Sequence, residues 1–227
     1  QPEHQEAIAR HLYIEMLKAG YTSVCEFHYL HHAPGGAPYA DRAELALRLM
    51  QAAEDAGIGM TLLPVLYQYA GFGSQPASPE QARFIGSPDS LLTLRQHLLH
   101  ALPESPMRRY GLAPHSLRAV SPEGLAEMVS GLRQQRGGQD APVHIHIAEQ
   151  WREIQDCLAW CGQRPVQLLL SLQEVDARWC LIHATHMDQG EYQAVANSGA
   201  VVGLCPTTEA NLGDGIIDAA QLLQSAT

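Results

Sequence analysis

The segment Val143-His-Ile-His-Ile-Ala-Glu149 carries the densest chemistry in the chain. His144 and His146 are two residues apart, so on a β-strand they share a face. An imidazole at such a place is a suitable ligand for Zn2+. Glu149 follows three residues after His146, just past the strand end, where a carboxylate can reach a metal-activated water. Zinc lowers the pKa of such a water to about 7, and a nearby carboxylate can carry its proton to a leaving nitrogen. An isolated His-x-His is more often a pair of hydrogen-bonded core residues, by about two to one. The spacing to Glu149, and His183 at the end of the next apolar run, reverse that preference for His146. His144 stays a packing or supporting residue.

The elements that must position these groups follow a repeated pattern of apolar β-type run, polar punctuation and helix-period segment. The spacing predicts helices over 6–19, 41–56, 89–102, 151–161, 165–172, 188–197 and 216–224, and one opening at Ser121-Pro122. Ile8, Leu12 and Met16 form the stripe of the first. Asp41 caps the second and Gly57 stops it, while Ser121 is an N-cap with Pro122 at the first helical position. Strands are predicted over 21–28, 58–66, 110–114, 142–148, 179–184 and 200–205, and 67–86 reads as a long loop. Strict βα alternation implies a parallel sheet covered by helices. No Gly-rich phosphate fingerprint follows the first strand, which places a (β/α)8 barrel slightly ahead of an open doubly wound sheet.

The strand exits widen that margin. They offer His28, Tyr67, His115 with Arg118, His146 with Glu149, His183, and the run Cys205 to Asn211. A closed barrel gathers the carboxyl ends of its strands around one pocket, whereas an open sheet spreads them along an edge. Arg118 has the planar fork that suits a carboxylate; a solvated surface charge is its plainer reading, at about one in three. Tyr67 is at about even odds between a phenolic hydrogen-bond donor and a core aromatic. His28, His31 and His32 resemble a metal cluster less than solvated loop residues, because two of them adjoin Pro34-Gly-Gly. Glu209 and Asn211 are expected to shape their loop, and Asp214 and Asp218 to lie on the surface or cap a helix.

Composition narrows the function classes. The chain has 227 residues, 46% of them hydrophobic, enough for one sizeable core and one domain by default. A formal net charge of -10 with 14 Lys+Arg excludes a nucleic-acid partner, whose phosphates require a basic face, but leaves room for a small acidic one. No apolar run approaches a membrane span and no basic leader opens the chain, so a membrane partner and secretion are not expected. The five cysteines read as buried free thiols in a reducing cytoplasm. Cys157 and Cys161, four apart on a helix, could face each other, but no further ligands stand near them.

Four stretches resemble the amidohydrolase superfamily: Leu17-Lys-Ala-Gly-Tyr-Thr-Ser-Val24, His144-Ile-His-Ile-Ala-Glu149, Leu181-Ile-His-Ala-Thr-His186 and Cys205-Pro-Thr-Thr-Glu-Ala-Asn-Leu212. Four more narrow the resemblance to its deiminases of histidine breakdown, which act on N-formimino-L-glutamate: Glu26-Phe-His-Tyr29, Leu62-Leu-Pro-Val-Leu-Tyr67 with Ala70-Gly-Phe-Gly73, His115-Ser-Leu-Arg118, and Thr208-Glu-Ala-Asn-Leu-Gly-Asp-Gly215. The similarity runs over nearly the whole chain. It implies a (β/α)8 metal-dependent barrel, one divalent ion, Zn2+, and hydrolysis of the formimino C=N. His146 is then the metal ligand, Glu149 and His183 the catalytic pair, and Tyr67, His115 and Arg118 the substrate contacts.

The departures from that pattern carry their own expectation. The family's first strand brings a metal-binding His-x-His and its eighth a metal-binding Asp, and neither is found here. The six strands then correspond to strands two to seven, and 1–227 reads as a partial barrel without the first and eighth strands or the small β-domain. The isolated chain is expected to bind zinc poorly and to be inactive. A homodimer is carried as the candidate assembly. Two other readings stay open: an amidohydrolase acting on a nucleobase-like ring, which the 6% aromatic content disfavours, and a non-catalytic barrel fragment.

Overall fold

The computed structural model describes residues 1–225. The chain forms two compact units. The first comprises Gln1–Gln68, Ala77–Ala113 and Glu127–Ala141, and the second Tyr69–Pro76, Pro114–Ala126 and Pro142–Thr227.

The first unit opens with α1 (Pro2–Lys18), then β1 (Ser23–His28), α2 (Glu44–Ala56), β2 (Gly59–Leu66), α3 (Pro88–Ala101) and β3 (Arg108–Tyr110). β1 and β3 both pair parallel to β2, with His28 opposite Pro64 and Tyr110 opposite Leu62. Gly57 ends α2 with φ 81, a left-handed conformation that glycine adopts without Cβ strain. The core is aliphatic: Leu49, Met50, Ala53, Met60, Leu62, Leu98 and Tyr110 pack together. Each large side chain so buried is worth roughly 1.5–3 kcal/mol. The expected strand over 110–114 is in fact two short pieces, β3 and β4 (Ala113–Pro114), interrupted at Gly111-Leu112. The expected loop over 67–86 contains one 3-10 turn, Pro79–Gln81.

α4 (Pro122–Gln134) crosses the boundary between the units. Ser121 Oγ accepts the Gly124 N–H at 3.1 Å, the cap its sequence foretold. The second unit then runs β5 (Val143–Ile147), α5 (Trp151–Cys161), α6 (Pro165–Leu172), β6 (Trp179–His183), α7 (Gln189–Ser198), β7 (Val201–Gly203), α8 (Pro206–Leu212) and α9 (Ala219–Ser225). Its sheet is parallel in the order β5-β6-β7. In register, His146 stands beside Ile182, Ile147 beside His183 and Ile182 beside Gly203. The α/β character and parallel pairing agree with the sequence reading. The strands, however, form two separate sheets, and no closed barrel is present among the described residues.

Two local expectations are overturned. His28 and His31 are not solvated: they are 2% and 7% exposed, and His31 Nε2 donates to the Val65 carbonyl at 2.9 Å. Loop position did not imply exposure because that loop packs inward against β2. Of the five cysteines only Cys157 is buried, and all five are free. Cys157 Sγ lies 4.0 Å from Cys161 Sγ, as the spacing suggested, and burial pushes its thiol pKa up, which opposes a thiolate metal pair there. No described helix is long and apolar enough to cross a membrane.

Candidate active site

The second unit brings His115, His146, Glu149 and His183 together. The rings of His115 and His146 lie 5.0 Å apart between centroids, and those of His146 and His183 5.7 Å apart. His183 Nε2 is 3.3 Å from Glu149 Oε1. β5 ends in His146 and Ile147, β6 ends in His183, and parallel register sets these exits at one edge of the sheet. His115 enters through its backbone, whose carbonyl accepts the His146 N–H at 3.0 Å.

The turns that leave β5 and β6 are strained. Ala148, His183 and Ala184 have φ of 51, 73 and 48, left-handed values that residues with a Cβ rarely adopt. Such positions cost on the order of 1–3 kcal/mol each and persist only where their surroundings enforce them. Here the enforcing contacts are explicit. Glu153, buried on α5, accepts the N–H groups of Ala148 and Glu149 at 3.0 and 2.9 Å. The Ala184 N–H bonds to the Ile147 carbonyl, and the His186 N–H to the Ala148 carbonyl. Glu149 and His183 are therefore presented by braced backbone.

The electrostatics follow from burial. Desolvation, helped by the charges of His146 and Arg118, holds the His115 imidazole well below its ordinary pKa. Burial takes His144 and His146 down to about 4. Glu149 moves the other way: burial raises its pKa, Asp214 beside it adds to the rise, and His183 and Arg118 oppose it. A carboxyl raised in this way holds a proton more readily than an exposed one, as a group that takes and returns a proton requires. Arg118 lines a cavity of about 620 Å3 with Gln75, Gln150, Trp160 and Phe72. Phe72 and Trp160 stack there at 5.5 Å.

His146 has the form a metal requires. Its Nδ1 faces the His115 carbonyl at 3.0 Å, and a carbonyl only accepts, so the proton sits on Nδ1 and the lone pair on Nε2. A second ligating group also stands here: His183, Cys205 and Glu209 offer atoms all within 4.8 Å of one another. His144 lies buried on the same strand. Tyr67 belongs to the first unit, where its hydroxyl accepts from Gln81 Nε2 at 2.8 Å.

Sequence reasoning missed two carboxylates. Glu209 and Asp214 are only 4% and 7% exposed: Asp214 is not on the surface, and Glu209, besides holding its own loop, reaches His183. Glu209 Oε1 lies 3.0 Å from His183 Nδ1 and accepts the Cys205 N–H at 2.9 Å. Asp214 Oδ1 accepts from Gln150 Nε2 at 2.8 Å. The available signal was His183 itself, whose second nitrogen needs a partner when buried. Asp218 does cap a helix, accepting the Gln221 N–H at 2.9 Å.

The chain is 57% identical over 222 residues to formimidoylglutamate deiminase from Pseudomonas aeruginosa, covering 98% of this chain and 48% of that protein. An amidohydrolase from Brucella melitensis of known structure superposes with a TM-score of 0.91 at 49% identity, over 99% of this chain and 49% of that one. A mutant atrazine chlorohydrolase from Arthrobacter aurescens, solved with zinc and atraton, shares the fold at a TM-score of 0.81 and 20% identity, over 99% and 47% of the two chains. The chain thus spans about half the length of these relatives. The model of the amidohydrolase family matches residues 1–226, and the chain belongs to that family.

Proposed function

We propose that this chain carries part of the active site of an enzyme that hydrolyses N-formimino-L-glutamate to N-formyl-L-glutamate and ammonia, a step of histidine degradation. The observation that carries the reading is the 3.3 Å approach of Glu149 to His183 on braced backbone beside His146. The 57% identity to a formimidoylglutamate deiminase supports the choice of substrate. In the full protein, the chain would supply strands two to seven of a (β/α)8 barrel, a reading supported by the family match.

His146 would hold the divalent ion, taken as zinc, through Nε2. The ion supplies a water acidified enough to attack at neutral pH. Glu149 would take one proton from the attacking water as that water's oxygen bonds to the formimino carbon, and would pass it to the formimino nitrogen. His183 hydrogen-bonds to the reacting groups and positions them. Glu149 would then carry the remaining proton of the added hydroxyl to the same nitrogen, so that the C–N bond breaks and ammonia leaves with both protons of the water while the carbonyl of the formyl product forms. Arg118 pairs with a substrate carboxylate in its cavity, with His115 as a further substrate contact; for Tyr67, in the other unit, a substrate contact rests on the family resemblance.

Ammonia release by the full-length, metal-loaded protein tests this. Formiminoglutamate should be turned over, and guanine, cytosine and S-adenosylhomocysteine should not. Arg118→Met should raise KM strongly, and Glu149→Gln should lower kcat. Preference for a ring substrate, or unchanged kinetics in both variants, would overturn the assignment.

A further inference from the structure

The segment after β7 carries a buried carboxylate aimed at the back of His183, and the roles above leave it unused. Glu209 sits in the middle of α8, and its Oε1 accepts the Cys205 N–H at 2.9 Å and lies 3.0 Å from His183 Nδ1. The opposite nitrogen of the same ring faces Glu149 at 3.3 Å. His183 is therefore held between two carboxylates that enter from different elements, one from α8 and one from the exit of β5.

We propose that Glu209 is a positioning residue for His183, fixing the ring's rotation and keeping a proton on Nδ1 so that Nε2 alone addresses the reacting groups. The inference rests on the function proposed above for what His183 does, but not for how it is held. Cys205 supplies the orientation of the clamp: a backbone N–H can only donate, so Oε1 is committed as an acceptor, and an acceptor on Nδ1 selects the Nδ1–H form. The ring needs such a brace because His183 occupies a strained backbone position, φ 73, where its side-chain direction is not set by regular strand geometry. The arrangement resembles a metal group in composition, with Cys205 completing it. The Cys205 N–H already spent on Oε1 favours the brace.

The test begins with the 15N signals of the His183 ring in the whole labelled chain, which need no turnover. Wild-type protein should show Nδ1 protonated; a lone pair on Nδ1 would overturn the proposal. Glu209→Ala should let the ring drift toward the Nε2–H form and, in the full-length metal-loaded enzyme, lower kcat by about 100-fold with KM changed less than about threefold. Glu209→Gln keeps a neutral acceptor toward both donors, so it should retain the Nδ1–H form and stay within about tenfold of wild-type kcat. Equal losses in both variants, or an unchanged ring in Glu209→Ala, would refute the brace. Should Glu209→Ala fail to fold, the wild-type and Glu209→Gln spectra still decide. If the spectra agree but formiminoglutamate is not a substrate, the assigned reaction fails and the brace stands.

Discussion

Replacing His31 by Gln should change how stability depends on pH, by an amount the structure sets. The His31 ring is 7% exposed, and burial first, with His32 adding to it and the Val65 carbonyl opposing, takes its pKa from 6.5 down to about 4. A depressed pKa means that the folded state resists protonation. Above pH 6.5 the ring is neutral in both states and contributes no slope. As pH falls below 6.5, the unfolded chain binds a proton that the folded chain refuses until about pH 4, so stability falls. The loss is about 1.4 kcal/mol per pH unit, hence about 2 kcal/mol between pH 6.5 and about pH 5. His31→Gln retains an amide donor for the Val65 carbonyl but has no proton to bind. The variant should start about 1 kcal/mol less stable at about pH 7.5 and overtake wild type by about pH 5. Other buried groups titrate as well: His28, His115, His144 and His146 with the same sign, and Glu26, Glu149 and Glu153, whose pKa values are raised, with the opposite one. All but His28, whose ring lies 5.0 Å from that of His31 and whose shift includes it, are common to both proteins and cancel in the difference. Urea unfolding followed by far-UV circular dichroism across that range measures it. A stability gap that stays constant with pH would show that burial does not depress this ring.

Two further substitutions probe the supports of each unit. Glu153→Gln leaves one oxygen to serve two backbone donors and turns an amide N–H toward the other, which should cost about 2 kcal/mol and lower kcat through the loosened Glu149 turn; urea melts followed by the fluorescence of Trp179, paired with turnover, check both effects. Arg95 is fully buried, with Nε on the Tyr110 carbonyl at 3.1 Å and Nη1 on Gln135 at 3.0 Å. Arg95→Met orphans those acceptors and should destabilise the first unit by about 3 kcal/mol, read from circular dichroism melts, whereas a loss below about 1 kcal/mol would mean that the acceptors find other donors.

Much of this was legible because some residues speak locally. Pro165, Gly57 and Ser121 mark their boundaries through ring geometry, left-handed φ and a side-chain cap, and α5 and α6 lie where their patterns place them. The exits at His115, His146, Glu149 and His183 were legible for a topological reason: a parallel arrangement gives every strand's carboxyl end the same direction. Glu209 and Asp214 were not. They lie on and just after a seven-residue helix, too short to show a periodicity, in a Thr-Thr-Glu-Ala-Asn-Leu-Gly-Asp run that reads as ordinary polar turn chemistry. The strain at Ala148, His183 and Ala184 was equally invisible, since no glycine announces it. His31 misled because burial of a loop is decided by what packs over it, not by its own composition.

The two missed carboxylates change how the site is understood. A strand exit fixes where a side chain leaves the sheet but not which way its ring or carboxyl turns, and at His183 the backbone itself is off the regular path. Orientation then has to come from outside the strand. It comes from the element that follows β7, which returns past the exits of β5 and β6 and places Glu209 on His183 and Asp214 against Glu149 and Gln150. On the other side, α5 returns Glu153 to the β5 turn. Glu149 and His183 are thus each answered by a buried carboxylate from downstream of their own strand. The βα connection both closes the sheet topology and carries the side chain that aims the catalytic one. Substitutions in α8, though α8 follows a strand assigned no catalytic group, should therefore act on turnover through His183 and Glu149 rather than on the stability of the sheet.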